Sequence, residues 1–150
     1  MTNIERFDQL TGKLFAVLFE SFPMTIDLTG GAFNDTILTA PDDSEEWKDQ
    51  LFARDEFFIS TVAWLINAGY ISHDIQGSRQ HNIFRGCTLT AKALEVLKAV
   101  PDTLTGKSIG ASLQAAASAG LMDTVKSLTG KALGIGASMG YSAASSWINP

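Results

Sequence analysis

Leu65-Ile66-Asn67-Ala68-Gly69-Tyr70-Ile71 and, beyond a polar hairpin, Thr88-Leu89-Thr90-Ala91-Lys92-Ala93-Leu94-Glu95-Val96-Leu97 carry the strongest structural signal in the chain. An apolar helical run meets a glycine that can adopt the left-handed conformation ending a helix. Two strand-like stretches follow, and Thr90 then stands where a helix N-cap is required. Residues 70–75 and 83–89 flank Gln76-Gly77-Ser78-Arg79-Gln80-His81-Asn82, a polar segment whose glycine suits a hairpin tip. The helix after Thr90 is predicted over 91–100, with Leu94 and Leu97 inward and Pro101 as its stop.

Toward the N-terminus, Thr2-Asn3-Ile4-Glu5 has the spacing of a capping box. Phe7, Leu10, Leu14, Val17, Leu18 and Phe22 recur at helical intervals, with Arg6, Gln9, Lys13 and Glu20 on the opposite side, and Pro23 ends the first helix. Met24, Ile26 and Leu28 alternate with polar residues as in a half-buried strand, and Gly30-Gly31 breaks the run. Residues 32–41 lack a clear period and read as loop. Asp42-Asp43-Ser44-Glu45-Glu46 supplies an N-cap and acidic charge for a second helix reaching Ala53, with Trp47 and Leu51 inward. A third helix is predicted from Asp55, with Phe58, Val62, Leu65 and Ile66 as its buried stripe.

The chain has 150 residues, of which 45% are hydrophobic and 9% aromatic, enough to bury a core. Its net charge of -5 is uneven: residues 1–101 hold 8 Lys and Arg against 14 Asp and Glu, residues 102–150 hold 3 against 2. An acidic body repels a phosphate backbone unless its cations share a face. Cys87 is the single cysteine, so no internal disulfide forms, and a small core residue is the expected role. The N-terminus lacks the basic and apolar regions of a secretory signal, so a cytoplasmic location is expected.

The order helix, strand, helix, helix, strand, strand, helix, with the Ala-Gly-Tyr-Ile and Leu-Thr-Ala-Lys-Ala-Leu segments, resembles winged helix-turn-helix domains of bacterial regulators similar to the MarR and PadR families. The resemblance covers residues 1–101. It implies a mainly α fold with a small β-hairpin, in which the third helix (55–68) enters a DNA major groove and the wing tip (76–82) reaches the backbone or minor groove. On helix 3 the outward positions are expected to be Glu56, Ser60, Ala63 and Asn67. Lys48, Arg54, Ser60, Asn67, Arg79 and Arg85 are the candidate nucleic-acid contacts, with Lys92 and His81 as further cations. The 55–68 segment contains no Lys or Arg and begins with two acids, so a protein partner fits it better than DNA.

Residues 102–150 form a different composition, with 7 Gly, 9 Ala and 8 Ser among 49. Gly106 and Gly110, Gly130 and Gly134, and Gly136 and Gly140 are each four apart, the spacing that lets helix backbones approach closely. Ile109, Leu113, Ala117, Gly120, Leu121, Val125, Leu128, Leu133 and Ile135 keep helical intervals, giving two helices divided near 120–123 with Asp123 capping the second. Such a hairpin packs on its own body or on a sister chain. Residues 132–150 contain no charge and carry Tyr141 and Trp147, so membrane contact is an alternative, although glycine and serine dilute the apolarity.

Catalytic chemistry is not legible. His73, Asp74, His81 and Cys87 fall on one hairpin but match no metal-ligand spacing, and Gly30-Gly31 is not followed by a phosphate-binding helix. The acidic run 42–49 reads as a solvated helix start, and Trp47 and Trp64 as core anchors. No cofactor or enzyme activity is expected. The leading expectation is a non-catalytic winged-helix interaction or regulatory protein that self-associates through its tail. The alternatives are a DNA-binding transcriptional regulator and a membrane-associated adaptor or toxin-like component inserting through the tail.

Overall fold

The structure, a computed structural model, describes residues 2–37, 45–74, 83–101, 104 and 106–148. Its elements are α1 (Asn3–Ser21), β1 (Ile26–Thr29), a 3-10 turn (Gly30–Phe33), α2 (Asn34–Ile37), α3 (Glu45–Asn67), β2 (Ile71–Ser72), β3 (Ile83–Leu89), α4 (Ala91–Lys98), α5 (Ile109–Ser118) and α6 (Met122–Ile148). The protein is mainly helical with one small antiparallel sheet of order β1-β3-β2.

The capping box forms: Glu5 N–H donates to Thr2 Oγ1 at 3.2 Å and Thr2 N–H to Glu5 Oε2 at 2.9 Å. Thr90 caps α4, accepting from Ala93 N–H at 3.1 Å, while its hydroxyl donates to the carbonyl of Gly69. Gly69 has φ +86, as a left-handed helix terminator needs. One threonine thus starts α4 and closes the end of α3. Lys92 donates to the Ala68 carbonyl at 3.0 Å and lies 4.4 Å from the centre of the Tyr70 ring, so it reinforces the same junction and is not an outward cation.

β3 forms over the expected residues, whereas β2 is shorter than the 70–75 read from the sequence. β3 also bulges. Ile26 faces Cys87 and Leu28 faces Phe84, so Asp27 spans two residues of β3. Gly86 takes φ +62 there, its N–H donating to Asp27 Oδ1 at 3.0 Å while Arg85 pairs with Asp27 Oδ2 at 3.2 Å.

Three expectations change. The second and third helices are one 23-residue helix, α3, because nothing between Glu45 and Asn67 breaks it and Arg54 is secured sideways. β1 starts at Ile26, leaving Met24 exposed, and part of the stretch read as loop forms the 3-10 turn and α2. Of the side of α1 expected to be polar, Gln9 is buried, Arg6 and Lys13 are half-buried and Glu20 is exposed, and Thr11, Gly12 and Ala16 are covered as well. The cause is the tail. α5 and α6 pack along α1 opposite the sheet, so α1 runs through the middle of the molecule.

The core therefore crosses the compositional change at Pro101. Leu10, Leu14, Phe15 and Leu18 of α1 share one cluster with Phe58, Val62 and Leu65 of α3, Phe84 and Cys87 of β3, and Ile109, Leu113, Val125 and Leu128 of the tail. The start of α5 is tethered by Ile109 N–H to the carbonyl of Ala99 at 3.0 Å, and its N-cap is Ser108, which accepts from Ala111 N–H at 3.1 Å. Gly120, with φ +71, makes the turn into α6, where Asp123 lies in the first turn rather than at the cap.

Candidate functional site

The outward face of α3 shows Glu56, Ser60, Trp64 and Asn67, all exposed and three or four residues apart, with Ala63 half-buried. Beside it lies the first turn and a half of α1. Asn3, Ile4 and Phe7 from α1 and Phe57, Ser60, Thr61 and Trp64 from α3 line an open groove of about 400 Å³. No residue lining this groove is charged. Arg6 stands at its edge, its guanidinium lying 4.6 Å from the centre of the Phe57 ring.

Trp64 makes the groove unusual. Its side chain, expected in the core, is 50% exposed. Phe7 meets it edge-on at 5.4 Å and 88°, and Tyr70 stacks on it at 6.4 Å and 15°. The ring is held on two sides and left open on others, an arrangement that presents aromatic surface with little rotamer freedom left to lose on binding. Ile4, 71% exposed, adds an aliphatic rim. Neither residue was singled out from the sequence as a surface feature. The signal lay in Ile4 preceding the apolar stripe of α1, and in Trp64 sharing the Ser60 and Asn67 side of α3.

The candidate nucleic-acid contacts do not form one cluster. Ser60 and Asn67 share the outer face of α3. Arg54 is 9% exposed, donating to Asn34 Oδ1 at 2.6 Å and to Asp55 Oδ1 at 2.9 Å, so it locks α2 onto α3 and does not reach outward. Arg85 is committed to Asp27 on the sheet bulge. Arg79, His81 and the residues Asp42, Asp43 and Ser44 lie outside the described residues, as do the side chains of Lys48 and Trp47.

The glycines of the tail divide by surroundings. A Cβ on Gly110 would meet the Phe19 ring at 2.8 Å, and one on Gly136 would overlap the Tyr70 hydroxyl. Gly130 and Gly134 have nothing within 4 Å and sit on the open side of α6. Gly106 has φ +87 in a turn and also meets nothing. For Gly140 only the helical backbone is described.

Cys87 is fully buried and its thiol donates to the Phe84 carbonyl at 3.4 Å. Burial, followed by the nearby charge of Asp27, pushes the thiol up to about 11. At neutral pH such a thiol keeps its proton, whereas the thiolate is the nucleophilic form. Among the described residues no three His, Cys, Asp or Glu come close enough to hold a metal ion, and no helix is long and apolar enough to cross a membrane. Glu5, held below the usual carboxylate range by its backbone hydrogen bond to Thr2 and then by Lys126 at 3.4 Å, links the start of α1 to α6.

The class these features define is a mainly helical domain with a three-stranded antiparallel sheet and an aromatic groove between α1 and α3. No family model, curated protein or solved structure matches the chain.

Proposed function

We propose that the chain is a non-catalytic winged-helix interaction protein that receives an apolar anchor side chain of a protein partner in the α1–α3 groove. The observation that carries this reading is Trp64, half exposed and fixed between Phe7 and Tyr70 on the outward face of α3. Buried aromatic anchors and their receiving pockets dominate the energetics of protein interfaces. The winged-helix part is supported by the order of the elements and by β1 pairing with β3, the second strand of the hairpin, at the middle of the sheet. Recognition of DNA through the same face is disfavoured by its chemistry, since phosphate contacts require cations and residues 55–67 supply none.

A photo-crosslinking side chain placed at Ser60 is expected to yield one discrete protein adduct in cells, lost when Trp64→Ala is added. Purified protein is expected to leave a DNA duplex unshifted at low salt. A duplex shifted by the wild type but not by Ser60→Glu would replace this reading with the DNA-binding one.

A second reading, self-association through the tail, has its own observation. Gly130 and Gly134 form a flat, uncovered strip one turn long on α6, on which a second helix backbone could lie closely. Sedimentation should then show an oligomer that Gly130→Glu and Gly134→Glu dissociate while the circular dichroism spectrum stays unchanged. A wild type that sediments as a monomer at all accessible concentrations would remove this reading.

A further inference from the structure

We infer that α6 gates the groove: Gly136 is the stop against which Tyr70 rests, Tyr70 holds Trp64 in place, and lifting α6 dismantles the aromatic wall. This inference rests on the groove reading for its purpose, though not for its geometry.

Tyr70 is the hub. It follows directly on Gly69, which ends α3, and it is only 3% exposed. One side of its ring stacks on Trp64; Phe15 of α1 lies 5.7 Å away in a tilted arrangement, and the Lys92 ammonium is 4.4 Å from the ring centre. Rotation of the ring is thus blocked by three neighbours from three elements. Its hydroxyl end points at α6, where it fills the space a Cβ of residue 136 would occupy, with the ring atoms Cζ and Cε1 at 2.8 and 2.9 Å from that position. Only glycine admits this approach.

Gly134, one half-turn away, touches nothing, so small size at position 136 answers to Tyr70 and not to a general feature of the helix. A closely packed aromatic ring cannot absorb a displacement at its hydroxyl end by bending; it must tilt or slide as a body. Of its two aromatic neighbours, Trp64, stacked on it and half exposed, is the one with free space to move into. Phe15 is 1% exposed and has none. Motion of α6 therefore emerges at Trp64, on the face of the Tyr70 ring. Anything that draws α6 away from the body, whether a binding partner or a second copy on its open strip, loosens the groove in the same step.

The test uses the full chain labelled with 5-fluorotryptophan, whose resonances from Trp47, Trp64 and Trp147 are assigned with Trp64→Phe. Gly136→Ala is expected to shift the Trp64 resonance and raise its solvent isotope effect by up to about twofold, the range left to a ring now 50% exposed. Gly134→Ala should leave that resonance in place. Tyr70→Phe combined with Gly136→Ala removes the overlapping hydroxyl but leaves the ring atoms Cζ and Cε1 at 2.8 and 2.9 Å from the new Cβ, so it should return Trp64 only part of the way.

An unmoved Trp64 in folded Gly136→Ala protein overturns the inference. If Gly136→Ala alone does not fold, the double variant decides: a folded state with the Trp64 resonance moved back toward its wild-type position supports the stop, and a double variant no better folded than the single one overturns it. No partner is present in these measurements. Failure here would leave the groove reading standing, whereas loss of the Ser60 adduct reading would leave the α6–Tyr70–Trp64 linkage intact.

Discussion

A chain cut after Pro101 is expected to lose cooperative folding altogether. The removed segment contributes Ile109, Leu113, Val125 and Leu128, all between 0% and 5% exposed, to the cluster around α1. At about 1.5–3 kcal/mol for each fully buried aliphatic side chain, their burial is worth roughly 6–12 kcal/mol. That equals the whole net stability of a typical domain, about 5–15 kcal/mol. Truncation also strips the cover from Gln9, Thr11, Gly12 and Ala16, turning a central helix into a surface one with the wrong face outward. The measurement is a thermal melt of residues 1–101 beside the intact chain, with amide dispersion by NMR. A sigmoidal melt and a dispersed spectrum from the fragment would show that the body holds its own core and that the tail is an appendage.

The sequence makes local structure legible where the interaction spans a few residues. Thr2 with Glu5, Thr90 with Ala93, Gly69 at the end of α3 and Pro101 after α4 all involve neighbours within a turn or two, so spacing alone encodes them. What spacing does not encode is which other element covers a given face. The helical period of α1 placed Leu10 and Leu14 inward correctly, but two further helices arrive from the far end of the chain and bury Gln9 and Thr11 as well. Arg54 looked like a free cation because its partner Asn34 lies 20 residues away. Trp64 looked like a core anchor by residue type, whereas the packing of α1 against α3 leaves half of it open. The candidate groove was thus half legible: Ser60 and Asn67 were placed on the outer face of α3, and the aromatic residues that give the face its character were not.

Gly12→Ala and Gly134→Ala, the same change in two helices, are expected to move stability in opposite directions. In an exposed helix interior, alanine is favoured over glycine by about 0.5–1 kcal/mol because it restricts the unfolded chain and has the better helix propensity. Gly134 lies in open space, so Gly134→Ala should gain that amount, and Gly130→Ala likewise. At Gly12 the new Cβ would overlap Thr129 Oγ1 and Val125 Cγ1 and press on Leu113 Cδ2 at 3.4 Å. Thr129 and Val125 are themselves fully buried, and the Thr129 hydroxyl is engaged with the Val125 carbonyl at 2.8 Å, so neither side chain has a vacant rotamer to retreat into. Forcing a methyl into such a contact costs about 1–3 kcal/mol and occasionally more, which exceeds the propensity gain. Gly12→Ala should therefore destabilise by about 1–2 kcal/mol net, and Gly12→Leu should separate α6 from α1. Urea titrations at low protein concentration, where any association through the open strip of α6 is absent, read all of these shifts as changes in midpoint at constant slope. A stabilised Gly12→Ala would mean that α6 does not lie on α1 at this crossing. A destabilised Gly134→Ala would mean that the strip is covered, and the self-association reading would then have to be sought on another face.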